Sequence, residues 1–250
     1  MGARNDNTII IIPALNEVRT IGAIVRSVVS MGFNVLVIDD GSSDDTEREA
    51  LDNGALVLRH KDNLGKGASI RSAIRYVIEK MNFEWIILMD GDGQHHPEDI
   101  LSLMKASEAD GADMVIGNRM GVTHDMPVTR YWTNKFTSWV LSKMCGQYIP
   151  DTQCGFRLLR TATLGKMKLV CNNYDIESEM IIEAAEHGSG IVSAPIQTIY
   201  GDESSKINPF LDTIKFFRLV SKHSLRKNGL RRKTTADDRD AARAQGNNRS

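Results

Sequence analysis

The 250-residue chain reads as an α/β protein with a mainly parallel sheet and helices on both faces. Two observations point there. Through the first 117 residues, short aliphatic or β-branched runs alternate with stretches whose apolar residues recur at helical spacing. The runs are continuous in apolarity and stop at polar or glycine residues, as strands buried on both faces do.

Thr8–Ile12, Asn34–Ile38, Ala55–Leu58, Trp85–Met89 and Asp113–Ile116 are the expected strands. Ile21–Ser30, Asp44–Asp52, Lys66–Lys80 and Glu98–Ala109 are the expected helices between and after them, with Pro97 suited to a first helical turn. After Asn118 the pattern changes. Met126–Met144 reads as a helix with Trp132, Phe136, Trp139 and Val140 on one side, a stripe open to either core packing or a lipid-facing surface. Asp151–Arg160 is polar, then strand-like; Ile176–His187 is helical; Ile191–Ile196 is a strand; Gly201–Asn208 is a polar loop. Pro209–Ser221 reads as an amphipathic helix with Phe210, Ile214, Phe217 and Val220 on one stripe. Beyond Asn228 the residues are charged and small, the composition of a flexible tail, so one domain over 1–228 and a tail over 229–250 are expected.

Hydrophobic residues at 41% and charged residues at 25% suit a globular core. A net charge of -1 argues against a nucleic-acid binder. The average hides a basic run: Lys215, Arg218, Lys222, Arg226, Lys227, Arg231, Arg232 and Lys233 meet no acid between the first and the last. Cys145, Cys154 and Cys171 form no CxxC pair and leave one over in any pairing, which suits a reducing compartment and structural thiols. No stretch approaches the roughly 20 apolar residues of a membrane span. The expectation is a protein that is soluble or lies on a membrane without crossing it.

The site is expected at the carboxyl ends of the strands, where sheets of this kind bind ligands. Asp90-Gly91-Asp92-Gly93-Gln94 directly follows a buried strand. Two carboxylates two positions apart can point the same way, and oxygen ligands suit Mg²⁺ or Mn²⁺ shared with substrate phosphates. A calcium loop of the EF-hand type is excluded, because its sixth and twelfth positions would be His95 and Leu101 instead of Gly and Glu. Pro13-Ala14-Leu15-Asn16-Glu17 and Asp39-Asp40-Gly41-Ser42-Ser43-Asp44-Asp45-Thr46 end the first two strands at the same edge. Asn63-Leu64-Gly65-Lys66-Gly67 lacks phosphate-loop spacing, and no GxGxxG occurs, so neither ATPase nor dinucleotide binding is supported. His95 and His96 stand beside the aspartates, as ligands or as loop residues touching solvent or phosphate.

Together the PALNE, VIDDGSSDDT, NLGKG and DGDGQ segments resemble family 2 glycosyltransferases with the GT-A fold. Gly117-Asn118-Arg119, Asp151 to Arg157 and Ser205-Lys206-Ile207 resemble the branch of dolichyl- or polyprenyl-phosphate mannose and glucose synthases. The resemblance covers about Thr8 to Phe217. It implies that Pro13, Ala14, Leu15, Glu17, Asp40 and Lys66 serve the nucleotide. Asp90, Asp92 and Gln94 would grip the metal and the donor diphosphate, with Lys206 on a loop that closes over it. Arg119, Arg130 and Asn134 would hold the acceptor phosphate, Asn134 standing where the family has serine.

The implied reaction is inverting transfer of a hexose, mannose first and glucose second, from GDP-mannose or UDP-glucose to a polyprenyl phosphate. It would take place at the cytoplasmic face of a membrane touched peripherally. Two other readings stand beside it: transfer to a glycan hydroxyl, for which Asp151 is the one candidate base, and non-catalytic binding of nucleotide-sugars.

Overall fold

A computed structural model of the chain describes residues 5–121, 126–197, 216, 218–221 and 223. The chain divides into two compact units, Met1–Ser204 and Ser205–Ser250. In the second, residues 216, 218–221 and 223 are helical, within and just beyond the helix expected over Pro209–Ser221. The rest of that helix, Lys206 and the tail lie outside the described residues.

The first unit carries a seven-stranded sheet in the order β3-β2-β1-β4-β6-β5-β7. Its strands are β1 Thr8–Ala14, β2 Asn34–Asp39, β3 Leu56–Arg59, β4 Trp85–Leu88, β5 Met114–Asn118, β6 Arg157–Arg160 and β7 Ile191–Pro195. The helices are α1 Ile21–Ser30, α2 Thr46–Asp52, α3 Lys66–Lys80, α4 Ile100–Asp110 (after a 3₁₀ turn at Pro97–Asp99), α5 Val128–Cys145, α6 Thr161–Leu164 and α7 Ile176–Glu186. Each expected strand and helix of this unit is present within a few residues of its expected ends; α6 was not foreseen.

Local sequence accounts for these elements. In β1, four consecutive isoleucines are wholly buried, and a β-branched run sealed on both faces has no competing helical solution. In α1, Ile21, Ile24, Val25 and Val28 are the buried apolar stripe at i, i+3, i+4 and i+7.

Topology then locates the site. The chain steps outward from β1 to β2 to β3, then returns past β1 to form β4. Right-handed crossovers put α1 and α2 on one face of the sheet and α3 on the other. The reversal opens a switch point between β1 and β4, whose carboxyl ends lead into Leu15 and Asp90.

One strand departs from the parallel pattern. β6 runs antiparallel to both β4 and β5, with Arg157 paired to Leu88 and to Ile116. An antiparallel strand starts where its neighbours end, so the segment leading into it, Asp151–Phe156, arrives at the same edge as Asp90 and Arg119. That convergence builds the second half of the site.

Candidate active site

Four loops meet at this edge, and hydrogen bonds brace them. Asn16, the one described non-glycine residue at positive φ (57°), accepts from the Ser43 N–H through its side-chain oxygen, while its own N–H donates to Ser42 Oγ. Asn tolerates this left-handed backbone better than most residues. The Glu17 N–H donates to Thr46 Oγ1, and Thr20 Oγ1 donates to the Gly91 carbonyl at 2.6 Å. The loop after β1 is thus tied both to the loop after β2 and to the aspartate loop.

Asp40 is held by the protein itself. Its carboxylate accepts from His60 Nδ1 at 2.7 Å, the Leu64 N–H at 3.0 Å and the Gly65 N–H at 2.8 Å. Burial alone would raise its pKa, but these donors outweigh it and hold the carboxyl below its ordinary value. Gly65 has φ 95°, and a Cβ there would lie 2.5 Å from the Asn172 carbonyl, so this turn requires glycine. The first amides of α3 are also taken: the Gly67 and Ala68 N–H groups both donate to Asn172 O. The helix start is therefore closed to an anion, and the NLGKG turn places Lys66 against Asp90 and Glu177.

Lys66 is the centre of charge. Its Nζ lies 2.7 Å from Asp90 Oδ1 and 2.7 Å from Glu177 Oε1. Burial opposes its charge, yet the two carboxylates more than compensate and push the ammonium's pKa far up. Asp90 is correspondingly held far below the usual carboxylate range: burial works against ionisation, and Lys66 and then His95 overcome it. Asp92, by contrast, is raised, first by burial and then by the charge of Asp90. Its Oδ1 accepts from the Gln94 N–H at 3.0 Å. Asp90 and Asp92 stand two positions apart at the end of a buried strand, and the oxygen donors of Asp90, Asp92 and Gln94 fit a hard divalent cation.

Across the edge lies a buried network around Asp151. Arg119 donates through Nε (2.8 Å) and Nη2 (2.9 Å), a bidentate pair, and its backbone N–H donates as well. Asn134 Nδ2 donates at 2.7 Å. Burial would raise the Asp151 carboxyl, but the Arg119 guanidinium holds it below its ordinary value. A wholly buried, ionised and saturated carboxylate cannot collect a proton, so Asp151 fails as the base that a hydroxyl acceptor would require. No bond joins Arg130 to this network among the described residues. Arg130 sits one turn before Asn134 on α5, half-buried.

The Glycosyl transferase family 2 model matches residues 9–166, a span that holds these loops but neither the segment of Asn172 nor the helix of Glu177. The chain belongs to that family. Among relatives, the UDP-N-acetylglucosamine–dolichyl-phosphate N-acetylglucosaminyltransferase of Methanococcus voltae is 28% identical over 236 residues, covering 84% of this chain and 94% of that one. The undecaprenyl-phosphate mannosyltransferase of Micrococcus luteus is 31% identical over 205 residues, covering 74% and 81%. Among solved structures, Mycobacterium tuberculosis glucosyl-3-phosphoglycerate synthase, in complex with Mn²⁺, UDP and phosphoglyceric acid, matches with TM-score 0.68 at 17% identity over 89% of this chain and 80% of that one. That likeness is one of fold: a GT-A-like α/β fold with a mostly parallel sheet.

For this family 2 glycosyltransferase, several sequence expectations need correction. His95 is a buried ring packed 5.0 Å from Phe156, with Nε2 3.8 Å from Asp90 Oδ2, and not a loop residue open to solvent. Cys154 lies in the Asp151–Phe156 segment at this edge, where burial pushes its thiol up to about 12. Trp132, Phe136 and Trp139 are exposed, so the core-packing alternative for that stripe fails. The sequence assigns no role to Glu177, and it offers Gly155 and Arg157 only as members of the Asp151–Arg157 motif. Arg157, wholly buried, donates to the carbonyls of Cys154, Thr152 and Glu177 and so clamps the segment to α7. A Cβ at Gly155 would lie 2.5 Å from Asp90 Oδ2.

Two outcomes follow from this geometry. Asp151→Asn strands the Arg119 guanidinium in a buried site and should cost about 3–5 kcal/mol by denaturant titration at neutral pH. Because the folded carboxyl lies below the unfolded one, the difference from wild type should shrink as pH falls below about 4; a variant as stable as wild type at neutral pH contradicts the network. Gly155→Ala should displace the Asp90 carboxylate and lower transfer by about 100-fold, the scale of a 1 Å misplacement. Wild-type kcat in that variant would mean that the close approach is idle.

Proposed function

We propose that the protein transfers a hexose, mannose first and glucose second, from a nucleotide-sugar (GDP-mannose or UDP-glucose) to a polyprenyl phosphate. The reading rests above all on the state of Asp151. Transfer to a sugar hydroxyl needs a general base, and the one carboxylate that sequence reasoning nominated is spent on Arg119. A phosphate monoester needs none, since its second pKa is about 6 and it is largely dianionic at neutral pH. It needs cations to hold it. Arg119, with Nε and Nη2 anchored on Asp151, would offer its remaining Nη1 edge, and Arg130 would add a second charge. Asn134 would act by orienting Asp151. The names of the Methanococcus and Micrococcus relatives, which specify dolichyl and undecaprenyl phosphates, favour the same acceptor class.

On the donor side, Pro13, Ala14, Leu15 and Glu17 would serve the nucleotide, with Asp40 shaping the loop beside them. Asp90, Asp92 and Gln94 would hold Mg²⁺ or Mn²⁺, ions that appear with UDP in complexes of the structural neighbour. Such an ion supplies electrostatic stabilisation to the departing diphosphate. An acceptor phosphate oxygen would form its bond to the anomeric carbon as the bond to the diphosphate breaks, with inversion. Lys66, already beside Asp90, adds positive charge where the leaving group develops its own. The acceptor stays in a bilayer, so the protein would work at the cytoplasmic face of a membrane by peripheral contact; no described helix is long and apolar enough to cross one.

Asp92→Asn provides the test. It keeps the shape and the turn and removes the charge, so the fold should persist by circular dichroism while hexosyl transfer drops by about 1,000-fold or more. Transfer at the wild-type rate in that variant would remove the metal-assisted reading.

A further inference from the structure

Helix α5 reverses the usual amphipathic arrangement. Its buried positions are Asn134, Thr137, Ser138 and Leu141, three of the four polar. This inward polarity is satisfied along a seam at i, i+4 and i+8. Asn134 donates to Asp151, Ser138 Oγ accepts from the Thr152 N–H, and Ser142 Oγ accepts from the Ile149 N–H. The apolar bulk points outward. Val128 is 71% exposed, Trp132 64%, Phe136 48% and Trp139 60%. At about 100° per residue, these four fall with Lys135 and Lys143 inside one arc of about 100°. The Phe136 and Trp139 rings lie 6.4 Å apart, forming a continuous shelf. The helix carries Arg130, Lys135 and Lys143 and no acid.

We propose that this outer face of α5 seats on the lipid bilayer that carries the acceptor, an inference that rests on the polyprenyl-phosphate reading of the site. Charge complementarity selects the occupant: basic residues without acids match an anionic headgroup layer. Tryptophans flanked by lysines match the boundary between headgroups and acyl chains, where an amphipathic ring has one wet and one apolar side. Helix α5 is held in the domain from its other face. The same helix supplies Asn134 to the Arg119–Asp151 network. The phosphate-side network and the lipid-side shelf are therefore about one helix diameter apart, roughly 10 Å. That spacing suits an acceptor whose phosphate lies at headgroup level while its tail stays in the membrane.

The full chain and two variants, Trp132→Ser/Phe136→Ser/Trp139→Ser and Lys135→Glu/Lys143→Glu, decide the matter. The probe is a vesicle of phosphatidylcholine and phosphatidylglycerol without acceptor, read by flotation and by quenching of Trp fluorescence with brominated lipid. Trp85 is buried in β4, so a change in emission reports Trp132 and Trp139. Wild type should float, release as salt rises, and show quenching. The aromatic variant should lose vesicle partition by about 100-fold, and the lysine variant by about tenfold at low salt. Both should keep the wild-type thermal midpoint and the wild-type rate with a short, water-soluble prenyl phosphate, while losing activity on the vesicle-bound acceptor. Unquenched tryptophans, or an aromatic variant that floats like wild type, would overturn the proposal. So would a wild-type dimer that this variant converts to monomer with no vesicle binding in either, which would assign the face to a second copy. Vesicle binding through the shelf with no transfer to any prenyl phosphate would uphold the docking surface and sink the acceptor reading alone.

Discussion

The ammonium of Lys66, 2.7 Å from both Asp90 and Glu177, joins three parts of the molecule that have no backbone pairing in common. It fixes the start of α3 to the aspartate loop after β4 and to the first turn of α7. A cation withdrawn from water needs anions beside it, and two carboxylates crowded at one strand end need a cation. Each half of the bridge thus makes the other tolerable. Asp92, two positions on, stays raised by its burial and then by the charge of Asp90.

The remaining braces work in support of this arrangement. Asp40 holds the loop that presents Lys66. Glu179 and Glu183, one turn apart on α7, accept from the Val170, Cys171 and Lys168 N–H groups. These contacts fix the segment whose Asn172 carbonyl closes the helix start above Lys66. Arg157 clamps the opposite side, so Gly155 can press against Asp90. Buried charge is used here to set positions: Lys66, Asp40, Arg157, Glu179 and Glu183 each find a partner of opposite sign or an array of backbone dipoles.

Much of this was legible in the sequence, and the parts that were not share a cause. The isoleucine run of β1, the stripe of α1 and the DGDGQ turn are local patterns, each written within a dozen residues. The family resemblance then gathered the turns into one donor site. What escaped was long-range. Nothing in Arg157–Arg160 announces that it will insert antiparallel between β4 and β5, yet that insertion carries Asp151 and Gly155 to the site. Glu177 is separated from Lys66 by 111 positions, and its role appears only on folding. The sequence left the stripe of Trp132, Phe136 and Trp139 open between core and surface, because what decides it is the set of buried partners that Asn134, Ser138 and Ser142 find in the 149–152 segment.

The proposed hexosyl transfer to a lipid phosphate is best read from its product. The purified chain, with Mn²⁺ and a polyprenyl phosphate, would be offered GDP-mannose, UDP-glucose and UDP-N-acetylglucosamine in turn. The product would be read by mass spectrometry and its anomeric configuration by NMR. A polyprenyl-phosphate hexose is expected from one of the first two donors, β-linked from an α-linked donor. A product retaining the donor's configuration, or transfer to glycan hydroxyls with none to the lipid phosphate, would contradict it.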